Sequence, residues 1–275
     1  MNLLNIINEI ESVEQGTHDR LNPRRAAIKG MFSFGSKVAV AALPFAMGSF
    51  FNKAYGQAPG SVKEILNFAL TLEYLEAEFY TKGVAASGLI PSGPALNAMT
   101  TIRDHENQHV DFLKTALGSD AVSKPTFDFT AGGAFGDVFS NYDTFLALAQ
   151  VFEDTGVRAY KGQAGGLISN KDVLTAALNI HSVEARHAAH LRQMRRARGG
   201  VTSELKPWIT GANDTGIGAV VDAIYAGEEN QTQAGVDIAQ LNGVEGKLSV
   251  NAATESFDEP LTAEAVLAIV TPFIA

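Results

Sequence analysis

The chain has 275 residues, 46% apolar and 19% charged, with 21 Lys and Arg against 30 Asp and Glu and no cysteine. The missing cysteine excludes a disulfide framework, a thiolate zinc site, an iron–sulfur cluster and a thiol nucleophile. Without cysteine any metal must be held by His, Asp, Glu or backbone oxygen, and the net charge of −9 speaks against a nucleic-acid partner, which selects a basic surface.

Residues 1–58 differ in kind from the rest. A polar stretch ends in Arg24, Arg25, Ile28 and Lys29, and a mostly apolar stretch covers residues 31–51 with Lys37 inside it. Its unbroken part, residues 38–51, falls short of the roughly 20 residues that a spanning helix needs. A basic region, a short apolar region and small residues around Ala54 and Ala58 describe an export signal. The Arg24-Arg25 pair resembles a twin-arginine signal, with Ala27 where an aromatic is usual. That resemblance implies export of a folded protein to the periplasm, a cofactor loaded beforehand, and no stable membrane span once the signal is removed. An amphipathic first helix and an uncleaved anchor are the competing readings. Removal would leave 15 basic and 26 acidic residues, a net charge of −11 over 217 residues.

From residue 59 the pattern is helical. Ser61 and Glu64 form a capping box, followed by Ile65, Leu66, Phe68, Ala69, Leu72, Leu75 and Phe79 at helical spacing. This first helix is predicted to stop near Gly83 or Gly88, before Pro91. A second runs from Pro94 to Leu117 with Gly118 as its stop, and a third from about Asp143 to Gly165. A fourth, capped by Asn170, reaches about Ala197. Short turns join the first to the second and the third to the fourth, predicting two antiparallel hairpins. Between them lies a crossover of about 24 residues carrying Phe127, Phe129, Phe135 and Phe139, expected to pack along the outside. Gly156 and Gly162 weaken the third helix by roughly 1 kcal/mol each against Ala. They are read as allowing close helix approach or substrate access, or as marking a local irregularity near Glu153. Residues 200–275 form a C-terminal extension, with short helices over 217–226 and behind Thr262. Its Gly-, Asn- and Thr-rich middle is read as wrapping the bundle or meeting a partner. The organisation is thus a leader (1–58), an all-α four-helix bundle with one long crossover between helices 2 and 3 (59–199), and an extension packing on it (200–275).

Two motifs each occur twice, in the same order. Glu-x6-Tyr gives Glu73…Tyr80 and Glu153…Tyr160; Glu-x-x-His gives Glu106…His109 and Glu184…His187. Random placement of 17 Glu and six His in this length yields only about 0.4 Glu-x-x-His matches. Residues i and i+3 share a helix face about 5–6 Å apart, so a Glu and a His so spaced can address one ion. Four helices then bring four carboxylates and two imidazoles to one buried point, the ligand set of the di-iron and di-manganese bundles.

Residues 70–80 (LTLEYLEAEFY) and 104–109 (DHENQH) resemble signatures of the exported bacterial ferritin-like domain proteins related to plant desiccation-related proteins. Residues 224–233 and 257–262 are similar to the same family. The resemblance implies a ferritin-like fold and metal ligands at Glu73, Glu106, His109, Glu153, Glu184 and His187. In it Glu106 and Glu184 bridge, while Glu73 and Glu153 are terminal. It departs at His105 and Val183, where some relatives place an Asp beside a ligating His.

Two Fe or Mn ions reacting with dioxygen or hydrogen peroxide follow as the expected cofactors and oxidants, with ferroxidase- or peroxidase-type stress protection as the expected function. A manganese-catalase-like dismutation and a non-enzymatic metal-binding stress protein, with Zn as occupant, are the rivals. A homodimer is the default assembly. Tyr80 and Tyr160 stand open between core packing and a hydrogen bond to a ligand carboxylate. Glu76, one turn beyond Glu73, is an alternative ligand. His105, His181 and His190 read as surface or cap residues, and Asp104, Asp154, Glu228 and Glu229 as solvent-exposed.

Overall fold

A computed structural model describes residues 60–244 and 246–275; the leader expected over 1–58 lies outside them. Four long helices dominate: α1 (Val62–Ala85), α2 (Pro94–Leu117), α3 (Tyr142–Ala164) and α4 (Lys171–Arg196). Their ends follow local chemistry. Ser61 Oγ accepts from Glu64 N at 3.2 Å while Glu64 Oε2 accepts from Ser61 N at 2.9 Å, the reciprocal bonds that satisfy two orphan donors. Asn141 caps α3 and Asn170 caps α4 through their side-chain oxygens. Proline opens α2, where its missing N–H costs nothing, and Gly118 closes it at φ 57°.

α1 packs against α2 and α3 against α4, giving two hairpins laid together as a bundle. The crossover between them is anchored by aromatic rings. Phe129 and Phe139 stand 5.4 and 5.7 Å from Phe79, which itself stacks on Phe145 at 4.7 Å. Gly83 permits that stack, because a Cβ there would lie 2.2 Å from the Phe145 ring. The crossover also pairs with the chain end, through the Phe127–Ile274 bridge and the bond from Asp128 N to Phe273 O.

Residues 60–230 and 249–275 form one compact unit; residues 231–248 form another. The second contains two short antiparallel ribbons, β1 (Thr232–Gln233) with β2 (Val236–Asp237), and β3 (Asn242–Gly243) with β4 (Gly246–Lys247). These strands are not foreseen in the sequence, since two-residue pairings carry no periodicity to read. The helix expected over 217–226 is reduced to α5 (Asp222–Tyr225), behind a 3₁₀ turn at Ala219–Val221. A further helix, α6 (Val250–Thr254), was not expected, whereas α7 (Ala263–Val270) stands behind Thr262 as its cap.

α3 is buried all round from Leu148 to Tyr160, and the C-terminal chain covers one of its sides. Asp154 and Glu228, expected in solvent, are 3% and 1% exposed. Arg192 Nη2 donates to Asp154 Oδ2 at 2.7 Å, and Tyr225 Oη donates to the same oxygen at 2.7 Å. Arg158 pairs with Glu228 at 2.7 Å and donates to the carbonyls of Ile224, Ala226 and Glu259. Gln150, Asp154 and Arg158 recur every four residues on α3, which reads as a solvated stripe until a partner covers it. Asp104 and Glu229 are exposed, as expected.

The helix-three glycines now have their reason. A Cβ on Gly162 would fall 1.9 Å from the Leu261 carbonyl oxygen, whose own N–H donates to Arg158 O at 3.1 Å. Gly162→Ala should therefore cost more than about 2 kcal/mol in urea unfolding, although Ala gains roughly 1 kcal/mol in helix propensity. A neutral or stabilising result would show that the extension does not rest on this helix.

Candidate metal centre

The structure brings the six residues singled out by the repeat to one place at the middle of the bundle. Ligand-type atoms of Glu73, Glu106, His109 and Glu184 all lie within 4.8 Å of one another; so do those of Glu106, Glu153, Glu184 and His187. Glu106 and Glu184 belong to both sets, one from each hairpin. All four carboxylates are fully buried. His109 Nδ1 stands 3.1 Å from Glu73 Oε2, 3.1 Å from Glu106 Oε2 and 3.3 Å from Glu184 Oε1. His187 Nδ1 stands 2.9 Å from Glu106 Oε1 and 3.2 Å from Glu153 Oε2. One ring N–H serves one acceptor at a time, so each imidazole Nδ1 can pair with at most one of the oxygens that converge on it.

The donor set fits divalent metal. Glu106 Oε1 and both oxygens of Glu184 are buried and accept no hydrogen bond. Buried carboxylates left so are costly unless a cation faces them. Without one, burial pushes the Glu106 carboxyl up to about 7, with Glu184 adding to the rise. Burial pushes Glu184 well above the usual range, followed by the charges of Glu153 and Glu73. His187 is driven the other way from its own desolvation: facing Glu153 and Glu106 holds its proton up to about 11. Carboxylate oxygen and imidazole nitrogen suit Fe, Mn or Zn.

The tyrosines resolve the question the spacing left open, and they do so crosswise. Tyr80 on α1 donates to Glu153 Oε1 on α3 at 2.6 Å. Tyr160 on α3 donates to Glu73 Oε1 on α1. Burial, and then the facing carboxylate, holds both phenols well above their usual range, so they remain donors. Each hairpin thus orients the lone carboxylate of the other.

Glu76 is 3% exposed and belongs to neither ligand group. Burial, then the neighbouring carboxylates beginning with Glu184, pushes its carboxyl well up. The equivalent position of the second half is Gly156, and a Cβ there would stand 3.1 Å from Glu184 Oε2 and 3.4 Å from Glu76 Oε1. The glycine leaves room for a fifth carboxyl that has no counterpart. His105 is half-buried rather than a free surface residue, its Nδ1 2.9 Å from His187 Nε2 and the two rings stacked. It takes the position where an Asp partner was sought. His181 Nδ1 reaches Val157 O at 3.0 Å, and His190 is exposed.

A four-helix bundle with one long crossover, gathering carboxylates and imidazoles at its centre, defines a helical protein able to hold metal ions. Residues 61–197 match the family model described as the ferritin-like domain, and this part of the chain is a ferritin-like domain. No curated protein and no solved structure matches the chain significantly.

Proposed function

We propose that the chain is an exported di-metal carboxylate protein whose two Fe or Mn ions react with dioxygen or hydrogen peroxide, in ferroxidase- or peroxidase-type stress protection. The observation that carries this reading is the pair of overlapping ligand sets sharing Glu106 and Glu184. Glu73 and His109 would hold one ion, Glu153 and His187 the other, with Glu106 and Glu184 shared. When bound, such ions supply one-electron chemistry between divalent and trivalent states. The protein's own groups do the rest. Tyr80 and Tyr160 fix the terminal carboxylates, and the apolar helix faces above and below exclude water. The Arg24-Arg25 leader supports export to the periplasm. Among the described residues no helix is long and apolar enough to cross a membrane.

The test is direct. Protein loaded with Fe or with Mn should oxidise Fe(II) under air or consume peroxide, and Glu106→Ala with Glu184→Ala should abolish both along with the bound metal. Rapid oxygen evolution from peroxide by the Mn form would instead identify a dismutase. A protein that holds two ions but does neither is a metal-binding protein without turnover.

A further inference from the structure

At the end of the bundle where α1 and α4 begin and α2 and α3 finish, the four helices leave an apolar pocket of about 40 Å³. Phe68 and Leu72 wall it from α1, Leu113 from α2, and Ala177 and Ile180 from α4. Its mouth lies beside Phe112, which is 46% exposed, and Ala116, also exposed. Among the described residues, Tyr160 and Gln163 are the only wall residues with polar side chains. The Tyr160 hydroxyl is committed to Glu73, so this one side chain both lines the pocket and touches the ligand group.

The wall chemistry selects what can rest there. A water needs about 2–4 polar partners, and apolar cavities without them stay dry and take xenon or hydrocarbons. Hydrogen peroxide carries two donors and several acceptors and meets the same objection; a hydrated cation meets it more severely. A small apolar molecule meets none, and the volume limits it to a few heavy atoms.

We infer that this pocket is a binding site for a small apolar gas, and that dioxygen, rather than peroxide, is the oxidant reaching the centre from this end. The dioxygen assignment rests on the oxidoreductase reading above; the pocket as an apolar ligand site does not.

The experiment uses xenon as the probe, on the full chain in metal-loaded and metal-stripped forms. Xenon should occupy the pocket against Leu72 and Leu113 in both, seen by anomalous scattering or by ¹²⁹Xe exchange shifts. Ala177→Leu should fill the pocket and remove that signal. Ala116→Leu should narrow the mouth from an exposed helix face where folding tolerates the change. Both variants should slow Fe(II) oxidation under dioxygen severalfold, leave oxidation by peroxide unchanged and keep the metal content of the parent. Absence of xenon from the parent protein overturns the inference. So does a filled pocket with an undiminished dioxygen rate, or an equal slowing with both oxidants. If xenon binds but the loaded parent oxidises nothing, the oxidoreductase reading and its oxidant fall, and the apolar ligand site stands.

Discussion

Stripping the divalent metal should lower the melting midpoint by roughly 15–30 °C, and the drop should widen as pH rises. Two sites at about a thousand times their Kd contribute roughly 8 kcal/mol, and a domain of this size shifts by about 2–4 °C per kcal/mol. The pH dependence follows from the site's own groups. Glu106 has a folded value near 7 against an ordinary 4.5, so the metal-free fold loses stability as pH rises from 4.5 through 7. His187 has a folded value near 11 against 6.5; its contribution is complete below 6.5 and is lost as pH rises through 11. Both act in one direction, so the metal-free protein weakens toward alkaline pH. Metal uptake must displace those same protons, so affinity strengthens over the range in which the empty fold declines. Calorimetry in buffers of different ionisation enthalpy should record proton release on binding. Stripped and loaded forms melting within a few degrees of each other at pH 8 would remove the cluster from the metal-binding account.

The second large effect lies outside the cluster. Arg192→Met should destabilise the protein by about 3–5 kcal/mol, the cost of leaving a buried partner charge uncompensated. Arg192 is fully buried between Asp154 and Asp214, and its Nη1 also donates to Trp208 O at 3.2 Å. Met keeps most of the side-chain volume, so the loss reports the charge. Residues 200–230 should become open to limited proteolysis before the bundle melts. Adding Asp154→Leu should recover part of the loss, since it removes one of the two carboxylates that Arg192 neutralises and leaves Asp214. A single-variant cost under 1 kcal/mol would mean that this network does not hold the extension.

The four helices were legible because their signals are local. A capping Ser or Asn, a glycine stop and an apolar stripe each act within a few residues of the feature they mark. The cluster of four carboxylates and two imidazoles was legible because its two motifs are written twice at nearly the same offset. What escaped depended on distant chain. Asp154 sits among polar neighbours on a stripe that solvent or a covering segment could satisfy equally, and only the fold of residues 200–230 decides between them. For Gly156 and Gly162 the sequence left helix approach, substrate access and irregularity open; what stands against them is two carboxyls in one case and a carbonyl in the other. The ribbons of 231–248 are held by a few backbone bonds, below what a side-chain pattern records.

The crossed tyrosines also dictate an order of events. Glu73 receives its phenolic donor from a residue 87 positions along the chain, and Glu153 from one 73 positions back. Neither hairpin, folding alone from local contacts, can orient its own terminal carboxylate. Their sequence separation makes these pairings the ones expected to close last, after the crossover has brought the second hairpin onto the first. Metal capture in the final geometry would then be a late event reporting docking of the halves, and a chain halted at the hairpin stage would carry both half-sites but no centre.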